Sequence, residues 1–183
     1  MEEKNPLPLS PEERNFLQHY KKELEHLKLL EEAAVLELCR KAEESGDSFA
    51  KAGLTEQFLP EVLRLAEGYC GQGLMLGDLV QEGNVGLMLA IETLGMRAEG
   101  CTAREYLLEE IRTAMEQAVE SNRAERRAGD LLAGRLNDLK DQIEKLSEEL
   151  EGQVSMEELS AYADMPAEEI VKLLKLAGEG KDL

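Results

Sequence analysis

The spacing of the apolar residues limits this chain to a helical fold. Apolar side chains recur every three or four residues from Phe16 to Leu38, and again from Leu131 to Leu150. This spacing places them on one face of an α-helix, and no segment shows the two-residue alternation of a half-buried strand. Aromatic residues make up only 4% of the chain and Trp is absent, so an aliphatic core is expected, which favours helices. We therefore predict an all-α fold.

Capping residues, prolines and glycines divide the predicted fold into helices. Ser10, followed by Pro11 and Glu13, is typical of a helix start, and Pro60 predicts a break or a new first turn. Four glycines between 68 and 77 predict a flexible connection, without the motif of a phosphate-binding loop. The expected helices cover residues 11–44, 48–69, 78–94, 102–128 and 130–150, with a short helix after Ser155 and a last one after Met165.

The chain is long enough for one domain or two small helical ones. We predict a loose N-terminus at 1–8, a larger bundle at 9–128 and a small helical unit at 129–183, with the boundary at Gly129. The last segment holds six basic and fourteen acidic residues, a net charge of −8. The whole chain carries 21 basic and 39 acidic residues, a net charge of −18. This balance argues against a free-standing nucleic-acid-binding protein, which usually presents a basic face.

Several other classes of protein lack support in the sequence. There is no run of 18 apolar residues and no secretory signal, so we expect a cytoplasmic protein without a membrane span. The three cysteines form no CxxC motif and are expected to be reduced thiols, while His19 and His26 have no third metal ligand nearby. We expect no metal, no cofactor and no enzymatic activity, because the many carboxylates are spread along exposed helix faces.

The helix predicted from Asp78 to Leu94 has two distinct faces. At ~100° per residue, its core arc holds Gly83 and Gly86, which allow another helix to approach closely. The opposite arc is polar but also contains three apolar residues: Val85, Met88 and Leu89. Apolar side chains on an otherwise solvated face predict a docking surface for a partner helix. Coverage by another part of this chain, such as the long first helix, explains the same pattern.

The segment Asp78–Met88, with the sequence DLVQEGNVGLM, resembles a motif of the second conserved region of bacterial sigma-70 factors. The resemblance extends upstream to Gly46-Asp47 and to Leu59–Tyr69, and Ser155–Ala177 resembles the third conserved region of the family. It implies a helical bundle followed by a small region-3-like helical unit. The chain ends where members of the family continue to a helix-turn-helix domain. Phe58 is a departure, since the family usually has Asn there.

The resemblance implies a transcription initiation factor that binds core RNA polymerase. In the family, the corresponding helix grips the clamp coiled coil of the largest polymerase subunit. Transferred position by position, the contact residues are Leu59, Asp78, Gln81, Glu82, Asn84 and Met88. Acidic side chains there can accept charge-assisted hydrogen bonds from Arg or Lys on the partner, while Leu59 and Met88 supply apolar area.

The resemblance breaks on the side that contacts DNA in the family. Family members carry aromatic residues and a Trp pair that stack on unpaired promoter bases. Here Glu109 and Glu110 stand in place of the Trp pair, and Tyr106 is the only ring left in that stretch. Promoter melting is therefore expected to be weakened or lost. The DNA-contact candidates are Tyr106, Arg112, Arg123, Arg126 and Arg127, although the last three also fit a solvated helix end paired with Glu120 and Glu125.

The sequence leaves two alternative functions open. One is an acidic interaction module that contacts neither polymerase nor DNA and self-associates as a homodimer through Val85, Met88 and Leu89. The other is an ordinary sigma factor that recognises promoters by itself.

Overall fold

A computed structural model of the chain describes residues 9–150 and 152–176. The predicted all-α fold is confirmed, since all regular structure in those residues is helical; the segment 1–8 lies outside them. The elements in order are α1 (Pro11–Leu24), α2 (Glu32–Ser45), α3 (Ser48–Gly68), α4 (Leu76–Glu92), a 3₁₀ turn (Leu94–Met96), α5 (Ala103–Leu150), α6 (Met156–Tyr162) and α7 (Ala167–Leu176). The chain divides into two compact units, Met1–Arg123 and Ala124–Leu183.

The core of the first unit forms around α3 and α4. Leu54 and Val62 of α3, Leu79 and Leu87 of α4, and Ile111 of α5 are fully buried there. Helix α2 packs against α3, and α1 packs against α4. Burying a Leu or Ile side chain contributes ~1.5–3 kcal/mol, so this aliphatic cluster is the main source of stability of the unit.

Two glycines let α4 lie close against its neighbours, as the sequence predicts. A Cβ added to Gly86 would lie 2.6 Å from the Cβ of Ala114 and 3.1 Å from the carbonyl oxygen of Glu110. A Cβ added to Gly83 would lie 2.2 Å from the Cε of Met115 and 2.8 Å from Val62. These positions leave no room for a side chain, so the glycines bring α4 into contact with α5 and α3.

We predict that Gly86→Ala destabilises the protein by ~1–3 kcal/mol, the usual cost of overpacking. The clash involves backbone and Cβ atoms of α5, which cannot rotate away as a long side chain can. Urea denaturation followed by circular dichroism measures the change. Gly68→Ala is the control, since its Cβ would meet nothing within 4 Å, and this change should be neutral or slightly stabilising. Equal stability of the two variants would contradict the packing role of Gly86.

The single helix predicted for residues 11–44 is wrong, because the chain turns between α1 and α2. The turn is held by a side chain of α3. The backbone N–H of Leu30 donates to Oε1 of Gln57 at 2.7 Å, and Nε2 of Gln57 donates to the carbonyl oxygen of Lys28 at 3.1 Å. The apolar spacing continues on both sides of the turn, and for this reason the spacing alone did not predict it.

Two further helix boundaries differ from the prediction. Pro60 neither breaks α3 nor starts it, because the buried side chains on both sides of it hold the helix together.

Helix α4 begins at Leu76 rather than at Asp78. The backbone N–H of Leu76 donates to Oε1 of Glu13 at 3.2 Å, so a residue of α1 caps α4. Glu13 also accepts from the N–H of Ser10, and these hydrogen bonds to Ser10 and Leu76 lower the pKa of Glu13.

The predicted helix end at Ala128 is wrong, since α5 is continuous from Ala103 to Leu150. Gly129 lacks the positive φ that a glycine adopts when it ends a helix. A glycine inside a helix costs ~0.5–1 kcal/mol relative to alanine, and the alanines and leucines around it favour the helix.

The second unit has a small core of its own. Leu139 of α5 packs with Leu159 of α6 and with Ile170, Leu173 and Leu174 of α7. The predicted start of a short helix after Ser155 is confirmed, and a capping box holds it, since the Oγ of Ser155 accepts from the N–H of Glu158 at 3.3 Å. Arg135 pairs with Glu169 at 2.5 Å and ties α5 to α7.

Candidate protein-binding surface

The outer face of α4 carries the residues that the sequence singles out. Its exposed members occupy an arc of ~120°, opposite the buried side that includes Leu79 and Leu87. We call them the α4 face: Asp78, Gln81, Glu82, Val85, Met88, Leu89 and Glu92.

The apolar members of the α4 face are not covered by the residues that the structure describes. Val85 is 46% exposed, Met88 50% and Leu89 62%. Helix α1 packs instead at the start of α4, where the Phe16 ring lies 3.6 Å from a Cβ added to Gly77. The interpretation that the first helix covers these residues is therefore wrong for the part of the chain that the structure describes. An apolar group surrounded by polar side chains is typical of a protein-binding surface.

The charge of the α4 face is negative toward its N-terminal end. Asp78 and Glu82 are exposed, one turn apart. Glu92 at the other end accepts from the Nζ of Lys51 at 2.5 Å, so its charge is partly compensated within the chain. A partner with basic side chains opposite Asp78 and Glu82 and apolar ones opposite Leu89 fits this arrangement. The Lys51–Glu92 pair joins residues 41 apart, and no sequence pattern indicates it.

The other two predicted contact residues, Asn84 and Leu59, are less exposed than the α4 face. Asn84 lies at the edge of the exposed arc and is half-buried, and its Oδ1 is buried with no hydrogen-bond partner. Leu59 lies on α3 and is also half-buried. Its neighbour Phe58, the departure from the family pattern, is buried in the core, and the guanidinium of Arg104 lies 5.6 Å from its ring centre.

Sequence reasoning missed a second apolar region in the first unit. Leu29, Leu30 and Leu36 are 60%, 40% and 54% exposed around the turn between α1 and α2. A cavity of about 300 Å³ next to them is lined in part by Cys39 and Arg104. No sequence signal indicated it, because the predicted continuous helix left no turn at this place.

Tyr106, the aromatic residue predicted to contact DNA, packs against the core and hydrogen-bonds within the fold. Tyr106 is half-buried against the core, and its hydroxyl is 2.9 Å from the Oγ1 of Thr93. Thr93 also donates to the carbonyl oxygen of Leu89 at 2.8 Å. Stacking on a base requires an accessible ring face, which the packing of Tyr106 restricts.

Carboxylates lie close to Arg112, another of the DNA-contact candidates. Arg112 forms an ion pair with Glu109, one of the residues that replace the Trp pair. The hydroxyl of Tyr69 donates to Glu116 at 2.7 Å, and burial together with this carboxylate raises the pKa of Tyr69 to about 12. A phosphate would therefore approach Arg112 between two carboxylates, Glu109 and Glu116, and would be repelled by them.

The other three arginines are exposed along α5. Arg123 donates to Oε1 of Gln72 at 2.8 Å and lies 3.8 Å from Glu120. The predicted pairing of Arg123 with Glu120 is thus present. Arg126 and Arg127 belong to the second unit and are exposed.

Two further features were looked for in the described residues: a group of metal ligands and a membrane-spanning helix. Among them, no three His, Cys, Asp or Glu side chains are grouped as metal ligands would be. None of the helices in the same residues combines the length and the apolar character needed to cross a bilayer.

Comparison with known proteins matches the first unit to a conserved region. Residues 54–125 match the family described as Sigma-70 region 2. The RNA polymerase sigma factors SigA of Listeria monocytogenes and of Listeria innocua are each 32% identical over 160 residues, which are 87% of this chain and 42% of theirs. SigA of Clostridium acetobutylicum is 29% identical over the same shares. The chain thus spans less than half the length of these relatives. It belongs to the sigma-70 family, as a divergent member built around the family's second conserved region.

Proposed function

We propose that this protein acts in transcription initiation or its regulation by binding core RNA polymerase through the α4 face. The observation that carries the proposal is the exposure of Val85, Met88 and Leu89 on a helix that lies within the match to Sigma-70 region 2 and resembles the family's polymerase-binding motif. The partner is the clamp coiled coil of the largest polymerase subunit. Its basic side chains face Asp78 and Glu82, and its apolar side chains cover Met88, Leu89 and Leu59.

The α4 face is suited to an α-helical partner. A helix laid along α4 meets side chains at i, i+3, i+4 and i+7, the spacing of Asp78, Gln81, Glu82 and Val85. The central apolar residues lose water on contact, while the acidic pair at one end fixes the orientation of the partner. The close packing at Gly83 and Gly86 keeps the backbone of α4 rigid, so little ordering entropy is lost on binding.

We predict that Glu82→Lys and Leu89→Glu each weaken binding to core polymerase by at least ~10-fold, since each places a like charge or a buried charge in the interface. Gln81→Ala removes one hydrogen-bonding side chain and should have a smaller effect. Titration of labelled protein with core enzyme, followed by fluorescence anisotropy, measures the affinities. All three residues are exposed, so circular dichroism should show unchanged folding.

Matched controls separate the α4 face from general charge effects. Glu23→Lys on α1 makes the same change in net charge, and Gln117→Ala on α5 makes the same truncation, both at exposed positions. Their affinities should equal that of the wild type. If all five variants bound core polymerase as well as the wild type, the proposed surface would be wrong.

Asn84 provides a test that separates function from stability. Its Oδ1 is buried without a partner, and such an atom costs ~1–3 kcal/mol. We predict that Asn84→Ala leaves the free energy of unfolding unchanged or raises it, and that it lowers the affinity for core polymerase. Urea denaturation and the polymerase titration measure the two quantities on one sample. A destabilised variant with full affinity would show instead that Asn84 serves the fold.

We further propose that promoter melting is weakened. Glu109 and Glu110 supply negative charge where bases would stack, and Tyr106 is held by Thr93. Base–aromatic stacking contributes ~1–3 kcal/mol per base, which this chain cannot recover with carboxylates.

We predict that the holoenzyme formed with this protein binds single-stranded promoter DNA no more tightly than core enzyme alone. Fluorescence anisotropy over a range of salt concentrations measures this, and the salt dependence reports the number of phosphates contacted. Isolated core enzyme and isolated protein are the controls. Tight, sequence-dependent binding by the holoenzyme would show that base recognition persists through other residues.

A further inference from the structure

One exposed side of α5 in the second unit has a self-complementary sequence. We call it the 127–138 face, and its members lie within about three helical turns. They are Arg127, Asp130, Leu131, Gly134, Arg135 and Asp138, all exposed. Leu139, which anchors α6 and α7, points roughly a third of a turn away, so the 127–138 face is separate from the core of this unit.

The 127–138 face combines a protruding side chain with a space that accepts one. Leu131 is 71% exposed. Gly134 lies next to it, and a Cβ added there would meet nothing within 4 Å. The six residues surround an open depression of about 550 Å³. A leucine beside a glycine on one helix face is the shape required for a leucine of a facing helix to pack over the glycine.

We propose that the 127–138 face binds the same face of a second copy of this chain in antiparallel orientation. A two-fold axis midway between residues 132 and 133 places Leu131 of one copy over Gly134 of the other. The same axis places Arg127 of one copy opposite Asp138 of the other. Because a two-fold interface repeats every contact, the dimer contains two leucine–glycine contacts and two ion pairs.

Charge selects this arrangement over other pairings of the same helices. A parallel pair in register would place Arg127 against Arg127 and Asp138 against Asp138, which repel each other. Shifting the antiparallel pair by seven residues would place Arg127 opposite Lys145 and Leu131 opposite Asp141 in one direction, and Arg127 opposite Leu131 in the other. The register centred between 132 and 133 pairs opposite charges and fills the depression at the same time.

Two arginines of the 127–138 face have contacts within their own copy. Arg135 lies at the margin of the 127–138 face and pairs with Glu169 of its own chain, so it stays outside the central seam. Arg127 also has an interaction within its own chain, and in the dimer it exchanges that interaction for an ion pair with Asp138 of the other copy. Arg127 is also a candidate for DNA contact, so self-association and phosphate binding use the same side chain.

Charge exchange tests the orientation and the register directly. Arg127→Asp and Asp138→Arg each place two like-charged pairs in the homodimer and should weaken it roughly tenfold or more. A mixture of the two variants restores both opposite-charge pairs in the heterodimer, in which each Asp or Arg again meets its opposite. Sedimentation velocity at low salt gives the dimer constants, and native mass spectrometry resolves the heterodimer by mass. Circular dichroism checks that each variant is folded.

Two more variants distinguish this interface from other surfaces. Gly134→Leu fills the depression while favouring the helix, so the dimer should be lost without loss of helix content. Leu89→Glu on α4 should leave dimerisation unchanged. A monomeric wild type would overturn the proposal, as would single charge variants that dimerise like the wild type or a mixture that stays monomeric. Loss of the dimer on Leu89→Glu alone would place the interface on α4 instead. None of these results depends on binding to polymerase.

Discussion

The close approach of α4 to α5 and α3 is the contact on which the first unit depends. Gly83 and Gly86 remove the side chains that would separate these helices, so that Met115, Ala114 and Val62 fill the space. With one side of α4 fixed in this way, the polar and apolar residues of its opposite side must face outward. Packing in the core thus determines which residues are available to a partner.

This coupling explains why the α4 face could be predicted from the sequence. Helical periodicity is local, and once the glycines and leucines define the buried arc, the positions of Asp78, Glu82 and Leu89 follow. The capping boxes at Ser10 and Ser155 were equally predictable, since each involves residues only three apart. Family resemblance added the proposed partner, which helical geometry alone does not identify.

The features that sequence analysis missed depend on distant contacts or on backbone conformation. The turn between α1 and α2 is held by Gln57, 27 residues from Leu30, and the start of α4 is capped by Glu13, 63 residues from Leu76. The predicted boundary at Gly129 is absent, because this glycine lacks the positive φ with which a glycine commonly ends a helix. Apolar spacing is the same in one long helix and in two that are joined by a turn, so no local pattern separates these cases.

The two sides of the first unit differ in what is left exposed. Three apolar side chains on α4 remain in contact with water, which adds nothing to the stability of the fold, and the proposed partner would cover them. On the other side, Tyr106 hydrogen-bonds to Thr93, and Arg112 pairs with Glu109. Two of the side chains predicted to contact DNA thus contact residues of their own chain. Under the proposed function, such a protein occupies the polymerase site of a sigma factor without opening a promoter. On that proposal, binding and melting are separable properties, because the residues proposed for each lie on different helices and are held by different contacts.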